Sequence, residues 1–253
     1  MPRSYRRFAS RLAVVAAVIS ATGCISEPGE TEAVAQSPVT QPPVAPPVRD
    51  EASQPYPPAP PNLATAPATP PEGPGLYEVS FETTKGTVVV EVHRDWAPNG
   101  ADHFYDLVTR GFYNDVKFFR VVPNFMVQFG INGNPNVSSV WSEATLIDDP
   151  VRKSNKRGYI TYAKTGRPNS RSTQVFINFT SNAFLDSQGF APFGEVIKGM
   201  DVVDSLESRY NEQPSQRQFD IQTKGNKFLD AAFPGLDHIV SATVTSVDGR
   251  PVE

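Results

Sequence analysis

Reactive side chains are scarce in this chain of 253 residues. It contains one cysteine, Cys24, which cannot close an intramolecular disulfide, and three histidines, His93, His103 and His238. The chain has no HExxH motif, no paired cysteines, no glycine-rich phosphate loop and no G-x-S-x-G elbow. These absences argue against a metalloenzyme, a nucleotide-binding enzyme and a serine hydrolase. We therefore expect no cofactor and no metal, and we interpret His93 and His103 as surface or packing residues.

A membrane-spanning run is also missing. Arginines among positions 3–11 precede an apolar run from Leu12 to Ile19, which is too short to cross a bilayer. Small residues follow, and this order of basic, apolar and small residues is typical of an export signal over 1–23. The sequence Ala-Thr-Gly-Cys ending at Cys24 is similar to a bacterial lipobox. We therefore predict that Cys24 is lipidated and anchors an exported protein to the bacterial cell envelope, on its periplasmic or extracytoplasmic face. The alternative is plain secretory cleavage, which leaves Cys24 as a free thiol.

Proline is distributed unevenly along the chain. Of 25 prolines, 15 lie between Cys24 and Gly75, in a stretch with few large apolar side chains. Such a stretch cannot bury enough surface to offset the entropy of the chain, which predicts a disordered, partly polyproline-like linker over 24–75. One globular domain remains over 76–253, and the linker would space it from the membrane.

Acidic residues outnumber basic ones. The formal net charge of −4 becomes about −8 once the four arginines of the predicted signal are removed. We do not expect nucleic acid as a partner, because an acidic protein is repelled by phosphates. One basic cluster is interpreted as a solvated loop face, with attraction of acidic peptides as the alternative. It comprises Arg152, Lys153, Lys156, Arg157, Lys164, Arg167 and Arg171.

Local patterns at the start of the domain predict a hairpin and a helix. Apolar and polar residues alternate from Tyr77 to Val92 around a turn at 84–86, which indicates a β-hairpin with one buried face. An apolar stripe predicts a helix over 100–110, with Asn99 as its N-cap and Gly111 just past its end.

The rest of the domain alternates between strand-like runs and loops. A second helix is expected over 200–207, and residues 208–237 have a weak pattern that we treat as an insertion. Many short antiparallel strands with two helices predict a mainly β fold, in which a closed barrel has a helix over each open end. The further strands are expected at 116–122, 125–129, 159–162, 175–179 and 238–247.

The segment FFRVVPNFMVQFG at 118–130 places one cation, Arg120, among apolar residues. A buried charge is expensive unless it is paired or directed at a ligand, so both interpretations stay open at this point. Residues two apart on a strand share a face, and Pro123 interrupts the pairing. Arg120 is therefore expected to stand beside Met126 and Gln128 on one wall.

Two further segments follow in a recognisable order, GYITYAKTGRPNSRSTQVFINF at 158–179 and NAFLDSQGFAPFG at 182–194. Together with FFRVVPNFMVQFG they resemble the cyclophilin family of peptidyl-prolyl isomerases, over about 77–247. The resemblance implies an eight-stranded antiparallel barrel that accelerates rotation about X-Pro bonds of proline-containing polypeptides. Together with the predicted export signal, it indicates an isomerase that assists the folding of exported proteins, and we expect a monomer. The alternative is a non-catalytic module or chaperone that binds proline segments.

The resemblance also implies a set of site residues. Arg120, Phe125 and Gln128 would be catalytic, with Arg120 stabilising the twisted bond and Gln128 hydrogen-bonding the substrate backbone. For each residue the alternative is a strand, loop or buried polar position without a ligand role. The implied substrate-binding residues are Met126, Ala163, Lys164, Gln174, Phe176, Phe184, Leu185 and Phe190.

Three of these positions depart from the commonest family pattern. Lys164, Phe184 and Phe190 stand where cyclophilins often have asparagine, tryptophan and histidine. Phe184 lacks the indole N–H that favours cyclosporin-type ligands, which predicts weak cyclosporin binding. None of the changes removes the rotation chemistry that the resemblance implies.

Overall fold

The computed structural model of the protein describes residues 55–252. The predicted signal, Cys24 and the first part of the predicted linker lie outside the described residues. Residues 55–252 contain ten strands and four α-helices. The strands are β1 Leu76–Thr83, β2 Gly86–His93, β3 Val116–Lys117, β4 Arg120–Val122, β5 Met126–Phe129, β6 Tyr159–Tyr162, β7 Val175–Asn178, β8 Pro192–Lys198, β9 His238–Val247 and β10 Arg250–Pro251. The α-helices are α1 Pro98–Thr109, α2 Pro135–Trp141, α3 Met200–Asp204 and α4 Gln218–Ala232, with 3-10 turns at Ala183–Gln188 and Pro214–Arg217.

One curled antiparallel sheet carries the fold. Its strand order is β10-β9-β1-β2-β8-β6-β7-β5-β4. The predicted hairpin is confirmed as β1 and β2, whose residues alternate between the buried core and a partly exposed outer face. Phe81 faces Val88 across this hairpin and contacts Phe104 and Phe129 edge-on, so strands and α1 meet in one aromatic core.

The sheet does not close by strand pairing, and the prediction of a closed eight-stranded barrel is wrong. The strand expected over 116–122 divides into β3, which pairs with β9, and β4, which pairs with β5. Phe118 and Phe119 separate the two pieces because they are buried in different clusters: Phe118 packs in the main core, and Phe119 packs with residues of α4. Within residues 55–252, the two ends of the sheet are joined through this continuous segment.

The first predicted helix is confirmed as α1, but its capping differs. Asn99 is not the N-cap, because α1 begins two residues earlier than predicted, at Pro98, and Ala97 occupies the cap. The carboxylate of Asp149 instead accepts hydrogen bonds from the backbone N–H groups of Asn99 and Gly100, at 3.1 and 2.9 Å. Gly111 follows the helix with φ +73, as its predicted position past the end requires.

The sequence pattern did not indicate α2 or α4. The second predicted helix corresponds to α3, but α4 shows that the supposed insertion 208–237 is largely ordered and helical. Gly225 kinks α4 with φ 58 and ψ −152, and a Cβ there would lie 2.1 Å from the carbonyl oxygen of Gly133, next to α2. Of the helices within 55–252, none combines the length and apolar character needed to cross a membrane.

The predicted linker is corrected over residues 55–75, which pack against the domain. Leu63 is buried, and its carbonyl accepts a hydrogen bond from Nε1 of Trp141 at 2.9 Å. The carbonyl of Pro57 accepts from Asn136 at 2.9 Å, and the Tyr56 hydroxyl accepts from the backbone of Lys227 at 2.8 Å. This stretch contains turns but no helix or strand. Domain side chains also bond its backbone at Asn62 and Gly73, where Arg110 donates to the Asn62 carbonyl and Asp102 accepts from the Gly73 N–H.

Two polar residues are almost fully buried: Arg171, and His103 of α1. Arg171 is 1% exposed and pairs with Asp149 at 3.0 Å and Asp148 at 3.3 Å, so it does not belong to the solvated basic face that we predicted. His103 is also 1% exposed, which confirms its interpretation as a packing residue. Burial lowers the pKa of His103 to about 4, and nearby Arg171 acts in the same direction.

Candidate active site

A cavity of about 230 Å³ opens on the wall formed by β4, β5 and β7. It brings together nine of the predicted site residues, which lie up to 70 positions apart in the chain. The lining consists of Arg120, Phe125, Met126, Gln128, Ala163, Lys164, Phe176, Leu185, Phe190 and Gln218.

Arg120 and Gln128 face each other across β4 and β5. Nη1 of Arg120 donates to Oε1 of Gln128 at 3.0 Å, and Nη2 forms an ion pair with the carboxylate of Glu212. The guanidinium carbon lies 5.8 Å from the ring centre of Phe125. Nε is buried and has no hydrogen-bond partner among residues 55–252. Arg120 is thus held on two sides while one of its donors is unused.

The floor of the cavity is apolar. Met126, Phe176 and Leu185 form a small buried cluster that is separate from the main core. Phe190 packs edge-on against Phe176, with ring centres 5.9 Å apart. Gln128 is directly opposite Phe176 in the β5–β7 pairing, so the polar wall and the apolar floor are fixed by the same strand register.

Two predicted residues lie beside the cavity and not in its lining. Oε1 of Gln174 accepts from Nε2 of Gln128 at 2.9 Å, and Nε2 of Gln174 donates to Gln218 at 3.2 Å. Phe184 is 58% exposed and stacks on Phe125 with ring centres 6.0 Å apart, so it extends the aromatic wall toward solvent.

Gly130 lets the backbone after β5 pass close to the segment that carries Gln174. A Cβ at this position would lie 2.3 Å from the carbonyl oxygen of Thr173, so a larger residue would push the two segments apart.

Two residues at this site were missed in the sequence. Glu212 contacts Arg120, and Gln218 completes the lining and the chain of amide hydrogen bonds. Both belong to the stretch 208–237, whose pattern did not reveal that α4 packs beneath the strand bearing Arg120. A cluster formed by Phe119, Ile221 and other buried residues makes this connection.

The other sites within residues 55–252 do not share residues with this cavity. Glu91, His93 and Glu195 place three possible metal-binding atoms within 4.8 Å of one another on the outer face of β2 and β8. A larger cavity of about 560 Å³ lies where residues 64–70 cross the domain, and its lining includes His103. Neither includes a predicted catalytic residue.

The chemistry available in the cavity is restricted. Its lining contains no serine, cysteine, histidine or carboxylate. Lys164 is paired with Asp148, at 3.8 Å. The arrangement therefore offers hydrogen bonds, a positive charge and an apolar surface, without an evident nucleophile paired to a base.

Residues 78–226 match the family described as "Cyclophilin type peptidyl-prolyl cis-trans isomerase/CLD". The chain belongs to this family. A peptidyl-prolyl cis-trans isomerase of Acinetobacter baylyi is 38% identical over 133 residues, which cover 51% of this chain and 70% of the relative. A probable peptidyl-prolyl cis-trans isomerase of Brucella abortus is 30% identical over 192 residues and covers 72% of this chain and 87% of the relative.

Solved structures agree with the fold. The crystal structure of a cyclophilin-type isomerase from Cryptosporidium parvum has a TM-score of 0.52 at 20% identity, covering 68% of this chain and 98% of that one. A second structure of that protein was obtained in the presence of the dipeptide Ala-Pro, with a TM-score of 0.50, 18% identity and coverage of 67% and 99%. Family membership and the named relatives identify the chain as a peptidyl-prolyl cis-trans isomerase.

Proposed function

We propose that this isomerase uses Arg120 to stabilise the twisted X-Pro bond of a substrate whose proline ring occupies the apolar cavity. The observation that carries this proposal is the position of one partly buried guanidinium at the edge of a cavity floored by Met126, Phe176 and Leu185. The unpaired Nε of Arg120 supports it, because a buried donor without a partner is costly unless a ligand accepts from it.

The reaction explains why one cation suffices. Resonance in the peptide bond sets a rotation barrier of about 18 to 20 kcal/mol, and exchange of X-Pro bonds without a catalyst takes tens to hundreds of seconds. As the bond twists, resonance is lost and the proline nitrogen regains its lone pair. A guanidinium placed at that nitrogen binds the twisted state better than the planar one, which lowers the barrier.

The remaining residues of the cavity are proposed to hold the substrate. Gln128 orients Arg120 and offers a polar group to the substrate backbone, and it is itself held by Gln174. Phe125 and Phe184 form an aromatic wall on the side of the guanidinium. The Ala-Pro dipeptide used with the Cryptosporidium parvum protein is consistent with proline-containing peptides as substrates here.

A peptide assay tests these roles directly. Exchange between cis and trans forms of a short X-Pro peptide is measured by NMR with the full chain and with Arg120→Ala. Removing one preorganised donor from a water-excluded site typically costs about 10² to 10³ in rate, and we expect a loss of that size. Arg157→Ala is the matched control, because this arginine pairs with Asp204 on the surface. A loss of similar size in the control would remove the support for Arg120.

We further propose that the protein acts on exported proteins from a lipid anchor at Cys24. The support is the order of basic, apolar and small residues that ends at Cys24, together with the proline-rich stretch that follows it. In cells supplied with a labelled fatty acid, the full chain should incorporate label and Cys24→Ser should not. Equal labelling of both chains would contradict the anchor and would leave the isomerase assignment intact.

A further inference from the structure

The segment between α3 and α4 brings a carboxylate to the catalytic guanidinium. Glu212 forms an ion pair with Nη2 of Arg120, on the other side of the guanidinium from Gln128. A few residues later, Gln218 begins α4 and lines the cavity. The same segment thus contacts the polar wall at two points.

Glu212 is held in place by the fold. The Ser215 hydroxyl donates to the carbonyl of Glu212 at 2.7 Å, and the N–H of Gln213 donates to the carbonyl of Tyr210 at 3.0 Å. The Tyr210 hydroxyl is bonded to the carbonyl of Pro234 at 2.8 Å, which ties the segment to the far end of α4. Helix α4 is anchored in turn by the cluster that contains Phe119, the neighbour of Arg120 in sequence.

The charges around the cavity come in two pairs. Lys164 faces Asp148, and Arg120 faces Glu212. Without Glu212, Arg120 would leave an unbalanced positive charge at the cavity, which attracts acidic side chains. The side chain of Glu212 is 49% exposed and its carboxylate contacts Arg120, so its charge is accessible at the edge of the cavity.

We propose that Glu212 is a specificity-determining residue, which makes the enzyme favour proline segments with a basic residue beside the proline over segments with an acidic one. This inference rests on the proposed function of Arg120 and its cavity. A single exposed charge pair changes affinity by a factor of up to about five, so the preference is modest and falls as salt is added.

The test uses three peptides of one length that differ at a single position beside the proline, which is lysine, glutamate or alanine. One set varies the residue before the proline and another varies the residue after it. The values of kcat/KM and Kd are measured at low and high salt for the full chain, Glu212→Gln and Glu207→Gln. Glu207 is the matched control, because it pairs with Arg209 outside the cavity.

In at least one set, the wild type should favour the lysine peptide over the glutamate peptide, and Glu212→Gln should lower that ratio about fivefold at low salt. The Glu207→Gln variant should keep the wild-type ratio. Ratios that are the same in wild type and Glu212→Gln in both sets would overturn this inference alone. Absence of turnover of the alanine peptide by the wild type would instead overturn the proposed function, and the Kd ratio would still report whether Glu212 selects charge.

Discussion

His103 makes the folded state sensitive to acid between pH 6.5 and pH 4. It is buried near Trp141 and Tyr162, and desolvation lowers its pKa from 6.5 to about 4. Arg171 lowers the pKa further, and the backbone of Ser172 opposes the shift. The folded state therefore binds a proton at this site less readily than the unfolded state does. The resulting stability is fully present above pH 6.5 and is lost as the pH falls toward 4, by about 3 kcal/mol in total.

Urea unfolding of the full chain at several pH values between 7 and 4 measures this loss. The variant His103→Gln removes the titrating ring, so we expect the free energy of unfolding to fall less steeply with acid than in the wild type. The difference between the two slopes gives the contribution of His103 separately from that of the carboxylates. A carboxylate such as Asp186 has a lowered pKa, so its effect on the free energy of unfolding appears at more acidic pH. Parallel curves for the two proteins over this range would show that His103 does not cause the loss of stability.

Three further predictions concern the docked segment and the rim of the cavity. Leu63→Ala should lower the free energy of unfolding by about 2 to 4 kcal/mol in urea titrations, because Leu63 is packed in the core and only 5% exposed. A change below about 0.5 kcal/mol would show that residues 55–75 are not firmly docked. Gln174→Ala should reduce kcat/KM about tenfold through loss of the support to Gln128, and a wild-type value would show that the amide chain is dispensable. Phe184→Trp should tighten cyclosporin binding measured by calorimetry, because an indole N–H is restored beside Phe125; a nanomolar Kd for the wild type would contradict the role given to this position.

Several strands and the cavity could be predicted from the sequence. The strands show local alternation of apolar and polar residues, and the cavity residues lie in motifs that follow one another in the family's order. Alternation with a period of two fixed the β1–β2 hairpin, and the same period placed Arg120 and Gln128 on one wall. The resemblance then supplied the distant residues, such as Phe176 and Leu185, that no local pattern connects to Arg120. Their convergence follows from the pairing of β5 with β7.

Three predictions from the sequence were wrong, for α4, for residues 55–75 and for the closed barrel, and each error has a physical cause that a local residue pattern does not show. Helix α4 is interrupted by Gly225 and buries only part of one face, so its periodicity is weak. Residues 55–75 are rich in proline, yet Leu63 and donors from the domain are enough to hold them. The barrel prediction failed because Phe118 and Phe119 are drawn into different clusters, which divides one expected strand between two partners.

Arg120 is proposed to act on the twisted bond and not on the bound peptide as such. The most direct test is to measure kcat and the Kd of one X-Pro peptide separately, for the full chain and for Arg120→Ala. We expect kcat to fall by about 10² to 10³, while Kd changes by less than about tenfold. A normal kcat, or a loss that lies in Kd alone, would contradict it.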